Sequence, residues 1–411
     1  MTDEAKVLTF DDLKQAVAGH AAAFRCVTEY QPAGGPGDKV FPPTYEGGKY
    51  AIETRYIDGA PVPCVLLDSV QSQANRMELA LLDAVRATPK RISLPLVEAK
   101  FEDEKLLKKF TVTSLEAPHR IADAIFRDSL IEENGRSVMF RKSEKGKILD
   151  NADVRNATGL FGLCPTALVF GIWDSTGPRG GLGAKIQRAI VSEIVGFHAQ
   201  PGNKTSSRID PLQIKLGAGP VLDRAVKDDR SPDWSISLET TTEKAAKKKE
   251  GKRPSEINHG NVTPTITDGG FTISKAVQTT VLSLAAIRRL RFPIPEKVDV
   301  DLKARTVIAA LGLLGAVLTR EEGADLRSRC QLVSTQEFFW ELLATPGQAP
   351  LKYKLDAATA VSLFNKAFAE AKTTPKLPWE DTIALTPHPD LIELVKRSQE
   401  LEASSVAEEG Q

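Results

Sequence analysis

The pattern of apolar and polar positions opens as a helix. Thr9 followed by Phe10-Asp11-Asp12 has the layout of a capping box, which predicts a helix from Thr9 to about Phe24. From Gln31 the stretch QPAGGPGDKVFPPTYEGG is dense in Gly and Pro and reads as a loop. KYAIETRYIDGAPVPCVLLDS predicts two strands joined at the Asp58-Gly59 turn signal. Between Val70 and Ala87 the period becomes helical, with Met77, Leu81 and Val85 on one face. Ile92 to Lys100 is expected to be a strand, held to an edge or a bulge by Pro95.

A helix is predicted from Pro118 to about Ile131, with Pro118 suited to the first helical position. TALVFGIW, Thr166 to Trp173, is a β-branched and aromatic run with the look of a buried strand. RAIVSEIVGFHA, from Arg188, reads as a second strand, with a helix as the alternative. Residues 201–270 are polar and rich in Gly, Pro and Lys, a long insertion carrying short strands such as DWSISLET. Helices are expected at about Ser274–Arg291, Leu302–Thr319, Thr335–Leu343 and Asp356–Ala371, followed by an acidic tail, SQELEASSVAEEGQ, expected to fray. No internal repeat is apparent. The succession predicts an α+β fold, a single domain over residues 1–411 with excursions.

With 41% hydrophobic residues the chain can bury a sizeable core, so wholesale disorder is excluded. Lys+Arg and Asp+Glu each count 54, so any grip on a polyanion must come from local clusters and not from the overall field. Cys26, Cys64, Cys164 and Cys330 are far apart, which argues against a disulfide framework or a zinc site and fits a reducing cytoplasm. The acidic start MTDEAKVLTFDD lacks the layout of a signal peptide. The longest apolar run, Val307 to Leu318, reads as a buried core helix and not a membrane span. Gly312 and Gly315 within it allow another element to approach closely.

Five clusters are candidates for chemistry. DSTGPRGGLGAK, from Asp174, follows a strand as a phosphate-binding loop would, because glycines let backbone N–H groups approach an anion. It fits no nucleotide motif: Leu182 stands five residues after Gly177, Ala184 precedes Lys185, and Ile186 occupies the place of a third glycine. Two readings remain for it, a plain hairpin connection and a loop touching polynucleotide backbone through Arg179, Lys185 and Arg188. SVQSQANRME, from Ser69, sets Gln71, Gln73, Asn75 and Arg76 at a helix start, as a phosphate contact or as an ordinary solvated cap. APHRIADAIFRDS offers His119, Arg120, Asp123, Arg127 and Asp128; an intrahelical ion-pair face is the plain reading, and the His119/Asp123 pair has no third metal ligand in view. From Lys244 to Arg253 six cations stand against Glu250 alone, a run that is solvated by default but, set in a long insertion, could grip a polyanion. Arg288, Arg289 and Arg291 suit a helix C-terminus. No nucleophile–histidine or paired-carboxylate arrangement is legible, and no cofactor or metal is called for.

In order, DSVQSQANRME, TSLEAPHRIADAIFRDS, PTALVFGIWDSTGPRGGLGAKIQRAIVSEIVG, INHGNVTP with SLAAIRRLRF, and ARTVIAALGLLGAVL with DLRSRCQLV resemble the Cas-seven backbone subunit of type I-G (formerly I-U) CRISPR systems, over roughly Val65 to Val333. The resemblance implies a modified RNA-recognition-motif (ferredoxin-like) core with a thumb hairpin and a helical lobe. It implies copies stacked head-to-tail on CRISPR RNA, which grip its backbone while base pairing reads target DNA. Other subunits of the Cascade complex, a large subunit and a Cas-five/Cas-six-type subunit, would be partners; no membrane is involved. Carried over string by string, Gln73, Asn75 and Arg76 would hold guide backbone and His119, Arg120 and Arg127 would line the groove. Arg179, Lys185 and Arg188 would contact RNA from the Gly-rich loop, with His259 and Asn261 in or near the thumb. Zero net charge is compatible, since repeated like-charged surfaces would oppose stacking.

The resemblance implies no catalysis. Two other readings compete: a metal-dependent endoribonuclease using Asp174 or Asp123, for which no matching catalytic loop is visible, and a pure scaffold that binds proteins and no RNA.

Overall fold

The computed structural model describes residues 5–175, 177, 182–224, 231–236, 251–295, 300–374 and 377–409. It contains two compact units. The first comprises Met1–Glu102, Lys109–Gln200 and Phe271–Leu391, and the second comprises Asp103–Lys108, Pro201–Gly270 and Ile392–Gln411.

The first unit is built on a ten-stranded sheet. In chain order its main elements are α1 (Phe10–Ala18), β1 (Ala23–Pro32), β2 (Ile52–Ile57), β3 (Ala60–Asp68), α2 (Val70–Arg86), β4 (Ile190–Phe197), β5 (Lys275–Ser283), α3 (Asp301–Glu321), β6 (Cys330–Ser334) and α4 (Ala357–Lys372). The strand order is β6-β1-β5-β4-β3-β2, with every neighbouring pair antiparallel. Leaving out the β2–β3 hairpin, the run β1-α2-β4-β5-α3-β6 is a βαββαβ unit. Its strand order 4-1-3-2 is that of a ferredoxin-like core. The α+β class and this core agree with the sequence reading. Residues 201–270 are inserted in the β4-to-β5 connection.

Local chemistry accounts for the elements that match. Thr9 caps α1, its hydroxyl accepting from the Asp12 amide at 3.2 Å while the Asp12 carboxylate returns to the Thr9 amide. Asp58 and Gly59, at φ 50° and 80°, make the two-residue turn that joins β2 to β3. α3 is long and apolar enough to cross a membrane by length and composition, yet 83% of its apolar window is buried inside the fold. A side chain at Gly312 would meet Leu282 of β5 at 2.8 Å, so this glycine lets helix and sheet approach closely.

Several expected elements are different. α1 ends at Ala18, capped by Gly19, and Phe24 already lies in β1. The strand expected over Ile92–Lys100 is confined to Val97–Phe101, beyond Pro95; it pairs with Ile383–Pro387 and Phe110–Thr113 in a separate five-stranded sheet. The helix expected from Pro118 is broken: Arg120 has φ 52°, a short helix covers only Ala124–Arg127, and Ser129–Glu133 is a strand. Thr166–Phe170 is helical and only Ile172–Trp173 is extended, because an apolar run buried on all sides carries no period. Lys275–Ser283 is a central strand with alternate residues buried, not a helix, and the helix starts only at Leu284. Its Val277, Thr279, Thr280 and Val281 favour the extended state. In place of a helix over Thr335–Leu343, Trp340–Leu342 is a strand paired with β1. The helix Pro389–Glu409 extends into the acidic tail.

Most of a two-stranded ribbon, Gln200–Arg208 with Val262–Thr272, belongs to the second unit, and it is exposed along most of its length. In the same unit Val221–Asp223 pairs with Trp234–Ile236, which is as much of the DWSISLET strand as the described residues contain.

Candidate nucleic-acid interface

A cleft of about 620 Å³ opens on the first unit, lined by residues from three separated stretches of chain. Gln71 comes from the first turn of α2, Pro118 to Arg120 from the broken helix, and Phe170 to Trp173 with Lys185 to Arg188 from the two sides of a short hairpin.

The hairpin pairs Ile172 with Ile186 and Trp173 with Lys185. Because side chains alternate across a strand, the two isoleucines are buried together while Trp173, 68% exposed, and Lys185 face outward. The Lys185 ammonium lies 5.8 Å from the Trp173 ring. Gly171 sits where the helix turns into the hairpin, at φ 85°. A Cβ there would lie 2.9 Å from Arg188 Cγ and 3.1 Å from the Ile186 carbonyl, so only glycine admits this close approach.

Beneath the hairpin lies a buried ion pair. Arg120, 7% exposed, donates from Nε and Nη2 to the two carboxylate oxygens of Glu78 at 2.6 and 2.8 Å, and from Nη1 to the Gly171 carbonyl at 3.2 Å. Its guanidinium also packs over the Phe170 ring. Burial pushes the Glu78 carboxyl up to about 7 against the opposing pull of Arg120. Arg188 is half-buried and, among the described residues, has neither a hydrogen bond nor an ion pair; Lys185 likewise has only its contact with Trp173. Burial, and then the neighbouring Arg120 charge, lower the Arg188 pKa from its ordinary value. Glu78, bonded to Arg120, also attracts Arg188 electrostatically, so one carboxylate faces two arginines and, with Lys185, the cleft keeps an excess of positive charge. Exposed His119, Gln71 and Gln187 add hydrogen-bonding capacity.

Four of the residues expected at an RNA groove, His119, Arg120, Lys185 and Arg188, thus meet in one cleft, although Arg120 is turned inward. Others are engaged elsewhere. Gln73 is 1% exposed: its Nε2 donates to Asp68 at 2.6 Å and its Oε1 accepts from Ser192 and Gln278 at 2.9 and 2.8 Å. It cannot reach a guide strand, and the helical period explains why, since it falls on the face that packs against the sheet. Arg76 clamps Asp68 and the carbonyls of Asp325 and Leu326. Asn75 is exposed on α2 but does not line the cleft. Arg127 pairs with its neighbour Asp128. Arg179 and the lysines of 244–249 lie outside the described residues.

In the second unit Asn261 Oδ1 accepts from the Asp210 amide at 2.7 Å, and the His259 ring packs edge-on against Trp234. Asp210 collects the Leu212, Ile214 and Gly260 amides; burial raises its pKa, but these bonds outweigh it and the net shift is downward.

The carboxylates proposed for a nuclease are engaged too. Asp174 is 1% exposed and accepts from Arg141 at 2.7 Å; Asp123 caps the helix that follows it through the Ile125 amide. Among the described residues no group of three or more His, Cys, Asp or Glu side chains is placed to hold a metal. Trp173 was not anticipated as a site residue, because a tryptophan ending an apolar run looks like core. Its place immediately before the Gly-rich loop was the available signal.

Residues 24–201 match the family model described as CRISPR-associated protein GSU0053 (Cas_GSU0053). The match covers somewhat under half of the chain and contains every residue lining the cleft. It supports a CRISPR-associated protein and a role in CRISPR defence. No curated protein matches the chain.

Proposed function

We propose that this chain is the guide-RNA-binding backbone subunit of a type I-G CRISPR effector, and that the cleft beneath Trp173 is part of its RNA groove. The observation that carries the reading is the pair of cations, Arg188 and Lys185, that have no hydrogen bond or ion pair among the described residues, in a cleft assembled from three of the strings that resemble the Cas-seven family. Cations in such a setting suit phosphate, and phosphate contacts hold any spacer sequence alike. Copies of the subunit stack head-to-tail along CRISPR RNA in the cytoplasm, and the guide, not the protein, pairs with target DNA. The large subunit and the Cas-five/Cas-six-type subunit complete the complex. The ferredoxin-like core, with its insertion between the second and third strands, is compatible with this role.

The subunit catalyses nothing in this reading. The burial of Asp174 against Arg141 and the capping role of Asp123 weigh against the nuclease alternative, since a metal-binding carboxylate must be free to meet metal and substrate.

Expression of the full chain with CRISPR RNAs of increasing spacer length tests the proposal. A head-to-tail interface does not close on itself, so particle length should follow RNA length. Particles of one size at every spacer length would overturn the backbone role, and protein free of nucleic acid would favour a pure scaffold. Periodic cuts in complementary RNA with magnesium would return the nuclease reading.

A further inference from the structure

We infer that Trp173 is a stacking platform for one unpaired base of the bound strand, so that the cleft holds a nucleotide by its base as well as by its phosphate. The inference rests on the RNA-binding reading above and adds to it, because a grip on phosphate alone has no use for an indole.

The Trp173 ring is 68% exposed on a hairpin only two residue pairs long, while its neighbours Ile172 and Ile186 satisfy the apolar demand beneath. It therefore contributes little to the core. It faces a cleft of about 620 Å³, inside the ~300–1,000 Å³ range of pockets that hold small ligands. The other groups at that cleft select the occupant. Among the described residues Arg188 and Lys185 have no hydrogen-bonded anion, and Gln71, Gln187 and His119 offer hydrogen bonds. The carboxylate beneath, Glu78, is bonded to Arg120 and only attracts Arg188 electrostatically. The occupant must carry negative charge and a flat π-surface together. An exposed tryptophan also suits a protein partner, but a protein would have to bring carboxylates to both cations at once. A strand of nucleic acid supplies an aromatic face and a phosphate in every repeat unit. Stacking tolerates any base, so this contact preserves sequence independence. It does demand an unpaired base, so the cleft takes single strands in preference to duplex.

The test uses the full chain with two oligomers of equal length: unstructured RNA, and the same ribose-phosphate chain without bases. Trp173→Ala and Trp173→Phe are compared with the parent, with thermal midpoints as the check on folding. The parent should bind the base-bearing strand roughly 5- to 100-fold tighter per site than the abasic one. Trp173→Ala should lose most of that ratio, and Trp173→Phe should keep much of it. The dependence of affinity on salt should be the same in all three, since the phosphate contacts are untouched. Binding of RNA should also quench tryptophan emission, and that part of the signal should vanish in Trp173→Phe although Trp234, Trp340 and Trp379 remain. A parent-like ratio in Trp173→Ala overturns the inference and leaves RNA binding standing. Loss of assembly with other subunits, with the ratio intact, overturns it in favour of a protein contact. Absence of salt-dependent binding to either strand defeats the RNA reading itself.

Discussion

Replacing Arg120 by alanine separates a groove residue from a buried structural cation. The guanidinium is 7% exposed, forms a two-pronged bond with Glu78 and holds the Gly171 carbonyl. Breaking a buried ion pair by removing one partner costs about 3–5 kcal/mol, because the remaining charge stays buried. Glu78 adds a pH signature. Its folded pKa, about 7, lies above the ordinary 4.5, so the folded state binds more protons than the unfolded one between those values. Stability therefore falls as pH rises through that window. Arg120 pulls the Glu78 pKa down, so its removal raises that pKa further and extends the fall above pH 7. At acid pH a protonated Glu78 leaves only lost hydrogen bonds and packing, about 1–3 kcal/mol. Urea unfolding of Arg120→Ala and the parent at about pH 5.5 and about pH 8 should show the full ~3–5 kcal/mol only at the higher pH. The double variant Glu78→Gln/Arg120→Met should recover much of that loss, since no lone charge remains buried. A loss under ~1 kcal/mol at both pH values, as for an exposed pair, would refute the argument.

The opposite outcome is expected at the two cations that make no ion pair among the described residues. Arg188→Ala and Lys185→Ala should each stay within about 0.5 kcal/mol of parent stability. Each should also make the slope of log affinity for RNA against log salt shallower by about 0.7. Gln73→Ala should cost about 1–3 kcal/mol in urea unfolding by stranding Asp68, Ser192 and Gln278, and should leave that salt slope unchanged. Gly171→Ala forces a side chain into φ 85° and against Arg188, a strain of about 1–3 kcal/mol. It should weaken RNA binding as well, because the hairpin carrying Trp173, Lys185 and Arg188 must shift; filter binding beside a thermal melt measures both.

Elements announced by local chemistry were legible. The Thr9 capping box, the Asp58-Gly59 turn, the helical period after Val70 and the apolar run of α3 each depend on neighbours in sequence, and each stands as read. Segments whose state depends on distant partners were not. Lys275–Ser283 lies between β1 and β4, and those two strands, not its own composition, supply its hydrogen bonds. The segment after Pro118 is broken at Arg120, whose side chain turns down to meet Glu78, forty-two residues earlier.

The same division runs through the site. Residue types and their order along the chain, Gln and Arg at a helix start, His and Arg after Pro118, Lys and Arg after the glycines, determined which stretches carry polyanion chemistry and which family they resemble. Whether a given arginine is available was decided only in three dimensions. Arg76, Arg120 and Arg188 are alike in sequence terms. Yet Arg76 finds Asp68 and two carbonyls, Arg120 finds Glu78, and Arg188 finds no hydrogen-bond acceptor among the described residues. A guanidinium's function is set by whether an acceptor stands within about 3 Å of it. The chain brings those acceptors from far along its length, so only the packing of β3, α2 and the Trp173 hairpin could distinguish a clamp from a contact.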